Sequence, residues 1–456
     1  ESTMGRRDTD MTQGSTWKHL ILFSLPLLLG NVFQQLYNTV DSVVVGNAVG
    51  TEALAAVGTT GSVINTIVGF FMGLSTGAGV VISQYYGAKD HESVHDAVHT
   101  TVALTLILSV VFTIIGVAAV PLMLRIMNTP DDVWNESKTY LTIYFWGVAG
   151  VMIYNMGSGI LRAVGDSKRP LYFLIFSAVT NIVLDLVFVL CFHMGVAGVA
   201  WATAISQALS AMLVLYTLMR SDGPYQLHWH ELQLNPVILS SVIRIGMPTA
   251  IQQGITAFSN VFVQSYINHF GSACMAGWSS YSKLDQLCLL PMQSLALANT
   301  TFAGQNKGAG KMDRVREGTR KSMVLSIGST FLLLIPLMLF APQLISLFDS
   351  TPKVLYYGAI FIRILSPFYL LCCVNQILAG TMRGTGDTKI PTLIMMGCFI
   401  VCRQIYLFIL SKLTESFVLT ALGYPFGWLL CSLVMFIYYR SGAWERHGVI
   451  VTDQKK

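Results

Sequence analysis

The sequence predicts an all-α integral membrane protein: twelve transmembrane helices in two six-helix bundles related by pseudo-two-fold symmetry. Three observations carry this. The 456 residues are 53% hydrophobic and only 11% charged, whereas a soluble domain carries about 25% charged residues. Apolar runs long enough to span a bilayer recur along the whole chain. The second half also repeats the punctuation of the first. A mean hydropathy of +0.60 argues against a soluble enzyme and against disorder, and a net charge of only +5 gives no basis for nucleic-acid binding. Thirty-nine glycines fit helices that pack closely within lipid.

Residues 1–17 lack an apolar core and a small-residue cleavage site, so they read as a cytoplasmic tail rather than a signal peptide. Apolar windows bounded by charges place six spans at 18–46, 53–83, 93–121, 138–161, 170–192 and 196–220, giving an N-lobe over 18–220. Residues 221–236 form a polar linker, in which His228 and His230 read as a solvated pair rather than a metal site. Six more spans at 237–268, 273–303, 318–341, 355–381, 390–411 and 415–439 make a C-lobe over 237–439, followed by a tail at 440–456. Cytoplasmic loops retain Lys and Arg. One side holds 21 of them and the other only Arg125, Lys138, Lys353 and Lys412, so both termini are expected in the cytoplasm. All eight cysteines fall in hydrophobic stretches without metal-ligand spacing and read as buried free thiols.

At an offset of 221 residues, Arg162, Gly165, Asp166, Lys168 and Pro170 recur as Arg383, Gly386, Asp387, Lys389 and Pro391. Gln84, Gly87 and Ala88 recur as Gln305, Gly308 and Ala309, and Pro26 matches Pro248 at offset 222. Each half therefore holds six spans in the same orientation, a parallel repeat suited to alternating access.

Acids within a bilayer cost about 2.5 to 3.5 kcal/mol on insertion scales and are functional by default. Three fall within spans: Asp41, Asp185 and Asp285. At about 1.5 Å per residue, Asp41 and Asp185 lie roughly 8 Å, and Thr203 roughly 10 Å, below the outer face. Asn181 stands one helical turn from Asp185, as Tyr37 does from Asp41. Two carboxylates, an amide oxygen and a hydroxyl make an all-oxygen set for a small monovalent cation, and the acid pair alone can share a proton. The C-lobe lacks this set, since Asp41 and Asp185 align with Val263 and Tyr406. It carries Lys283, Asp285, Arg363 and Arg403 instead. Either Asp285 pairs with Arg363 or Arg403 to hold the bundle, or these charges line a cavity and meet substrate.

With Pro26, Gln34, Tyr37 and Asp41 in the first span, ILRAVGDSKRP after the fourth, and Asn181 and Asp185 in the fifth, residues 15–440 resemble the multidrug and toxic compound extrusion (MATE) family. The match is nearest its DinF-like branch, because the acids sit in the first lobe. The resemblance implies the MATE (MOP-flippase-like) fold, a V-shaped pair of bundles. It also implies a monomeric secondary antiporter of a bacterial-type inner membrane, not an enzyme. Such a protein exports amphipathic, mostly cationic compounds in exchange for H⁺ or Na⁺ and needs no cofactor. It assigns ion coupling, with possible Na⁺ ligation, to Asp41, Asn181, Asp185 and Thr203. Gln34, Tyr37 and Asn155 fall in the adjoining network, and Pro26 at a bend in the first helix. Lys283 and Asp285 are the substrate candidates of the other lobe. A lipid-linked oligosaccharide flippase is the nearest alternative, and the concentration of ion ligands in one lobe argues against it. A membrane enzyme would need a catalytic constellation, and no His falls near Asp41 or Asp185 in the sequence.

Overall fold

The computed structural model describes residues 9–448, except the side chains of residues 51, 52, 54, 55, 58, 59, 62, 257, 258 and 261. Its helices are α1 (Thr16–Val44), α2 (Thr51–Gly87), α3 (His91–Ile126), α4 (Asp131–Trp146), α5 (Val148–Ala163), α6 (Lys168–Leu186), α7 (Val196–Met219) and α8 (Pro236–Asn268). They continue as α9 (Ser272–Gly308), α10 (Met312–Leu339), α11 (Ala341–Ser346), α12 (Pro352–Leu365), α13 (Tyr369–Thr385), α14 (Lys389–Met396), α15 (Arg403–Leu413), α16 (Phe417–Ala421) and α17 (Gly423–Ser441). Among the described residues there is no strand.

Joined across short irregularities, these helices make twelve crossings, as the sequence predicts. The fourth crossing is α4 and α5, separated only by Gly147, whose N–H still reaches Ile143 O at 3.1 Å. The tenth is α12 and α13, joined through the turn Ser366–Phe368, and the eleventh is α14 and α15, joined through a π-helical stretch at Gly397–Cys402. Among the described residues, nine segments are long and apolar enough to cross a membrane by composition alone. The α4–α5 pair, α8 and α9 fall outside that set, and α9 carries Lys283, Asp285 and Asn299. Apolar side chains turned outward, such as Ile114 at 65% exposure, are the surface a hydrocarbon solvent requires.

The repeat is explicit in the elements. Helices α2, α3, α4, α6 and α7 begin at 51, 91, 131, 168 and 196, and α9, α10, α12, α14 and α16 begin 221 residues later in each case. The shared RxxGDxKxP motif is a helix stop followed at once by a helix start. Gly165 stands at φ +88° and Gly386 at φ +106°, a region open to glycine. The N–H groups of Gly165 and Asp166 bond the carbonyls of Arg162 and Leu161 at 3.0 and 2.9 Å. Those of Gly386 and Asp387 bond Arg383 and Met382 at the same distances. Each ending helix thus has its last carbonyls satisfied. The Asp then receives N–H groups of the next helix, Lys168 and Arg169 on Asp166 and Ile390 on Asp387.

The chain forms two compact units whose borders differ from the lobes read in the sequence. One contains residues 9–10 and Pro26–Ala250, the other Met11–Leu25 and the residues from Ile251 onward. The half of α8 before Ala250 therefore packs with α2. A Cβ on Gly73 would lie 2.4 Å from Ala250 N, and one on Gly77 would lie 2.5 Å from Gly246 Cα, so the helix backbones touch there. In the other unit the predicted N-terminal tail is partly docked. Met11 N–H donates to Gln305 Oε1 at 2.9 Å, and Met11 O accepts from Asn306 and Arg314 at 3.2 and 2.8 Å. The eight cysteines are free, but only five are buried: Cys288 and Cys402 are half-buried, and Cys191 is exposed at the π-helical end of the fifth crossing.

Gly77→Leu should therefore lower the melting temperature of the detergent-purified protein. Overpacking a backbone contact costs roughly 1–3 kcal/mol or more. The same substitution at Gly61, whose added Cβ meets nothing within 4 Å, should leave it nearly unchanged.

Candidate functional site

Within the first unit a cavity of about 470 Å³ opens between α1, α2, α4, α5, α6 and α7. Pro26, Gln34, Tyr37, Asp41, Asn155 and Thr203 all line it, so the six sequence candidates that face open space face the same one. Asn181 and Asp185 do not line it; they are buried, 1% and 0% exposed, beside the lining residues Tyr37 and Asp41. Helical spacing explains the grouping. Gln34, Tyr37 and Asp41 recur every three to four residues on one face of α1, and Asn181 and Asp185 do so on α6.

Asp41 and Asp185 are close enough to interact directly, and Tyr37 stands within reach of Asn181 and of both acids. Yet Asp41 Oδ1, both carboxylate oxygens of Asp185 and both side-chain polar atoms of Asn181 are buried without a hydrogen-bond partner. Two ionised carboxylates have no proton to offer each other. Buried unpaired charge of this kind is unfavourable by several kcal/mol unless a proton or a cation neutralises it. The donor set is hard oxygen throughout, which suits H⁺ or a small monovalent cation rather than a transition metal. The Thr203 hydroxyl donates to Val199 O at 3.2 Å and keeps its lone pairs free to face the cavity.

Asn155 reaches the cavity although its place in the span puts it near the inner face, because the space runs along the bundle as far as Arg162. Its amide is spent on Val151 O at 2.8 Å, leaving its side-chain oxygen as the remaining polar atom. Sequence reasoning missed Arg162 and Tyr140 as lining residues. By position Arg162 belongs to the Lys- and Arg-rich loops that read as cytoplasmic, and nothing in the pattern around Tyr140 separates it from a packing tyrosine.

The second unit organises its charges differently from the ion pairs anticipated. Asp285 accepts hydrogen bonds from the hydroxyls of Tyr369 at 2.6 Å and Tyr281 at 3.2 Å, and those hydroxyls are 2.9 Å apart. Among the described residues it has no ion-pair partner. Arg403 instead donates to Gly423 O and Tyr424 O at 3.2 and 3.3 Å and lies 4.3 Å over the Tyr424 ring. Arg363 donates to Met338 O at 3.4 Å. Lys283, two residues from Asp285, points to another face, where its ammonium sits 5.3 Å over Phe348. Backbone carbonyls near the end of α10 and in the first turn of α17 accept from these guanidinium groups, an outlet invisible in a list of charges.

Asp285→Leu should then destabilise the protein by about 1–3 kcal/mol, because two buried tyrosine hydroxyls lose their acceptor. Asp285→Asn keeps an acceptor and should melt close to the parent. A thermal-shift series in detergent separates the two.

Two six-helix repeats with an oxygen-rich cavity inside one bundle are the architecture of a membrane transporter of the parallel-repeat class. The MatE family model matches residues 26–187 and again 248–409, once per repeat, and the chain belongs to that family of multidrug efflux transporters. It is 30% identical to the probable multidrug resistance protein YpnP of Bacillus subtilis over 96% of this chain and 97% of that protein. It is 31% identical to the probable multidrug resistance protein YoeA of the same organism, over 95% and 96%. A solved MOP superfamily transporter from Pyrococcus furiosus shares the fold with a TM-score of 0.90 at 24% identity, covering 97% of this chain and 98% of its own.

Proposed function

We propose that this multi-pass membrane transporter exports amphipathic, mostly cationic organic compounds in exchange for H⁺ or Na⁺ by alternating access, as a monomer with both termini in the cytoplasm. The observation that carries the reading is the set of unpartnered buried oxygens of Asp41, Asp185 and Asn181 beside the cavity. A volume of about 470 Å³ falls in the range of drug-sized sites. Tyr37, Tyr140 and Tyr144 line it and offer ring faces to an organic cation. With both acids ionised, such a cation is attracted to the cavity. Once H⁺ or Na⁺ neutralises the acid pair, that attraction weakens and the compound leaves. Ion and substrate then compete for the same charge, which is what exchange requires.

The conformational element in this reading is α1. Pro26 has no N–H for the carbonyl of Leu22, so the helix is weakest there. The boundary between the two compact units falls at this residue, supporting its role as a hinge. The charge bias of 21 to 4 supports the cytoplasmic placement of the termini.

The test is efflux of a fluorescent lipophilic cation from proteoliposomes with a pH gradient and a Na⁺ gradient imposed separately. At least one gradient should drive efflux. If Na⁺ does, Asn181→Ala and Thr203→Ala should weaken Na⁺-driven transport more than proton-driven transport, since they supply neutral oxygens that a proton does not need. Efflux indifferent to both gradients would refute the antiport reading.

A further inference from the structure

The linker read as solvated is folded against the start of α3, where it completes a cluster of imidazoles. His95 and His99, one helical turn apart, stack with ring centroids 4.0 Å apart. The ring of His228 lies 6.3 Å from each of them, and His230 lies 5.9 Å from His228. Glu231 closes the group, with Oε2 2.6 Å from His95 Nε2. Backbone bonds hold the linker in place: Leu227 N–H to Leu218 O at 3.0 Å and Asn235 N–H to Thr100 Oγ1 at 3.1 Å.

The hydrogen bonds fix one tautomer. His99 Nε2 accepts the His228 N–H at 3.0 Å, so its proton resides on Nδ1, which donates to His95 O at 2.7 Å. A neutral ring anchored through Nδ1 to a carbonyl, with its Nε2 lone pair aimed at a second element, is the arrangement of a metal-ligating histidine. The ligand atoms of His95, His99 and Glu231 all lie within 4.8 Å of one another. Tetrahedral Zn²⁺ with bonds of 2.0–2.1 Å sets its ligand atoms about 3.4 Å apart, so small side-chain rotations close the set. His230 Nε2, 3.9 Å from Glu231 Oε1 and on an exposed side chain, is placed to become a fourth ligand. Among the described residues neither Glu231 nor the neighbouring Asp96 has a Lys or Arg partner, so the local charge favours a cation.

We propose that His95, His99 and Glu231, with His230 as fourth ligand, form a binding site for a divalent transition metal of the Zn²⁺ class that staples the linker 221–236 to α3. The site is separate from the Asp41–Asp185 cavity in both residues and donor chemistry, since imidazole nitrogen selects borderline metals where all-oxygen sets take Na⁺. His95 and His99 at i and i+4 supply one face of the site, and the linker supplies the other. Binding would displace the His228 N–H from His99 Nε2 and replace the His95–Glu231 hydrogen bond with two metal bonds.

The test uses the full-length protein, purified in detergent and stripped with a chelator, titrated with Co²⁺ and followed by visible absorption. One equivalent should bind with the d–d bands of a four-coordinate nitrogen and oxygen site, and Zn²⁺ should displace it. Affinity should fall at least roughly tenfold in His95→Asn and in Glu231→Gln, as even outer-shell changes produce. Glu231 is exposed, so its variant keeps the fold and the comparison stands if His95→Asn does not. No saturable Co²⁺ binding, or binding of equal strength in Glu231→Gln, would overturn the proposal.

Discussion

Everything distinctive about the first unit depends on two carboxylates that no protein donor neutralises. Burial removes the water that would solvate Asp185 and Oδ1 of Asp41, and the surrounding side chains do not replace it. A fold can keep such a pair only if something from outside completes it. On the antiport reading we propose, that requirement is what fits the pair to receive H⁺ or Na⁺. Tyr37 and Asn181 flank the acids from neighbouring turns, and Asp41 opens onto the cavity.

The second unit makes the contrast clear. Among the described residues its one intramembrane acid, Asp285, accepts from Tyr281 and Tyr369, while Arg363 and Arg403 donate to backbone carbonyls and Arg403 also lies over the Tyr424 ring. A carboxylate already holding two hydroxyls has no comparable need for an ion. The symmetry of the backbone, with helix starts recurring every 221 residues, therefore carries an asymmetric chemistry. The helix stops at Gly165 and Gly386 recur in both halves with the same left-handed glycine. The site residues diverged because side chains alone define them.

Much of this was legible in the sequence because it depends on periodicity and on glycine. The twelve crossings, the repeat and the shared face of Gln34, Tyr37 and Asp41 follow from spacing along helices. Depth along a helix axis says nothing of azimuth or of neighbours, so the tyrosine partners of Asp285 and the cavity face of Arg162 were out of reach. The unit borders were missed for a related reason. Gly73, Gly77 and Gly246 pack as a backbone crossing between helices far apart in sequence, and α1 divides at Pro26 without any break in its apolar pattern. The His95–His99 spacing was present in the sequence, but its meaning depended on the linker folding back onto it.

The central claim is that Asp41 and Asp185 act as one ionic site. A double-mutant cycle on gradient-driven efflux tests it most directly, with Asp41→Asn, Asp185→Asn and the double variant compared in proteoliposomes at matched protein content. One shared site predicts that either substitution alone abolishes coupled efflux and that the second adds nothing. Substantial coupled efflux in either single variant, with loss only in the double, would mean two independent sites and would contradict the account.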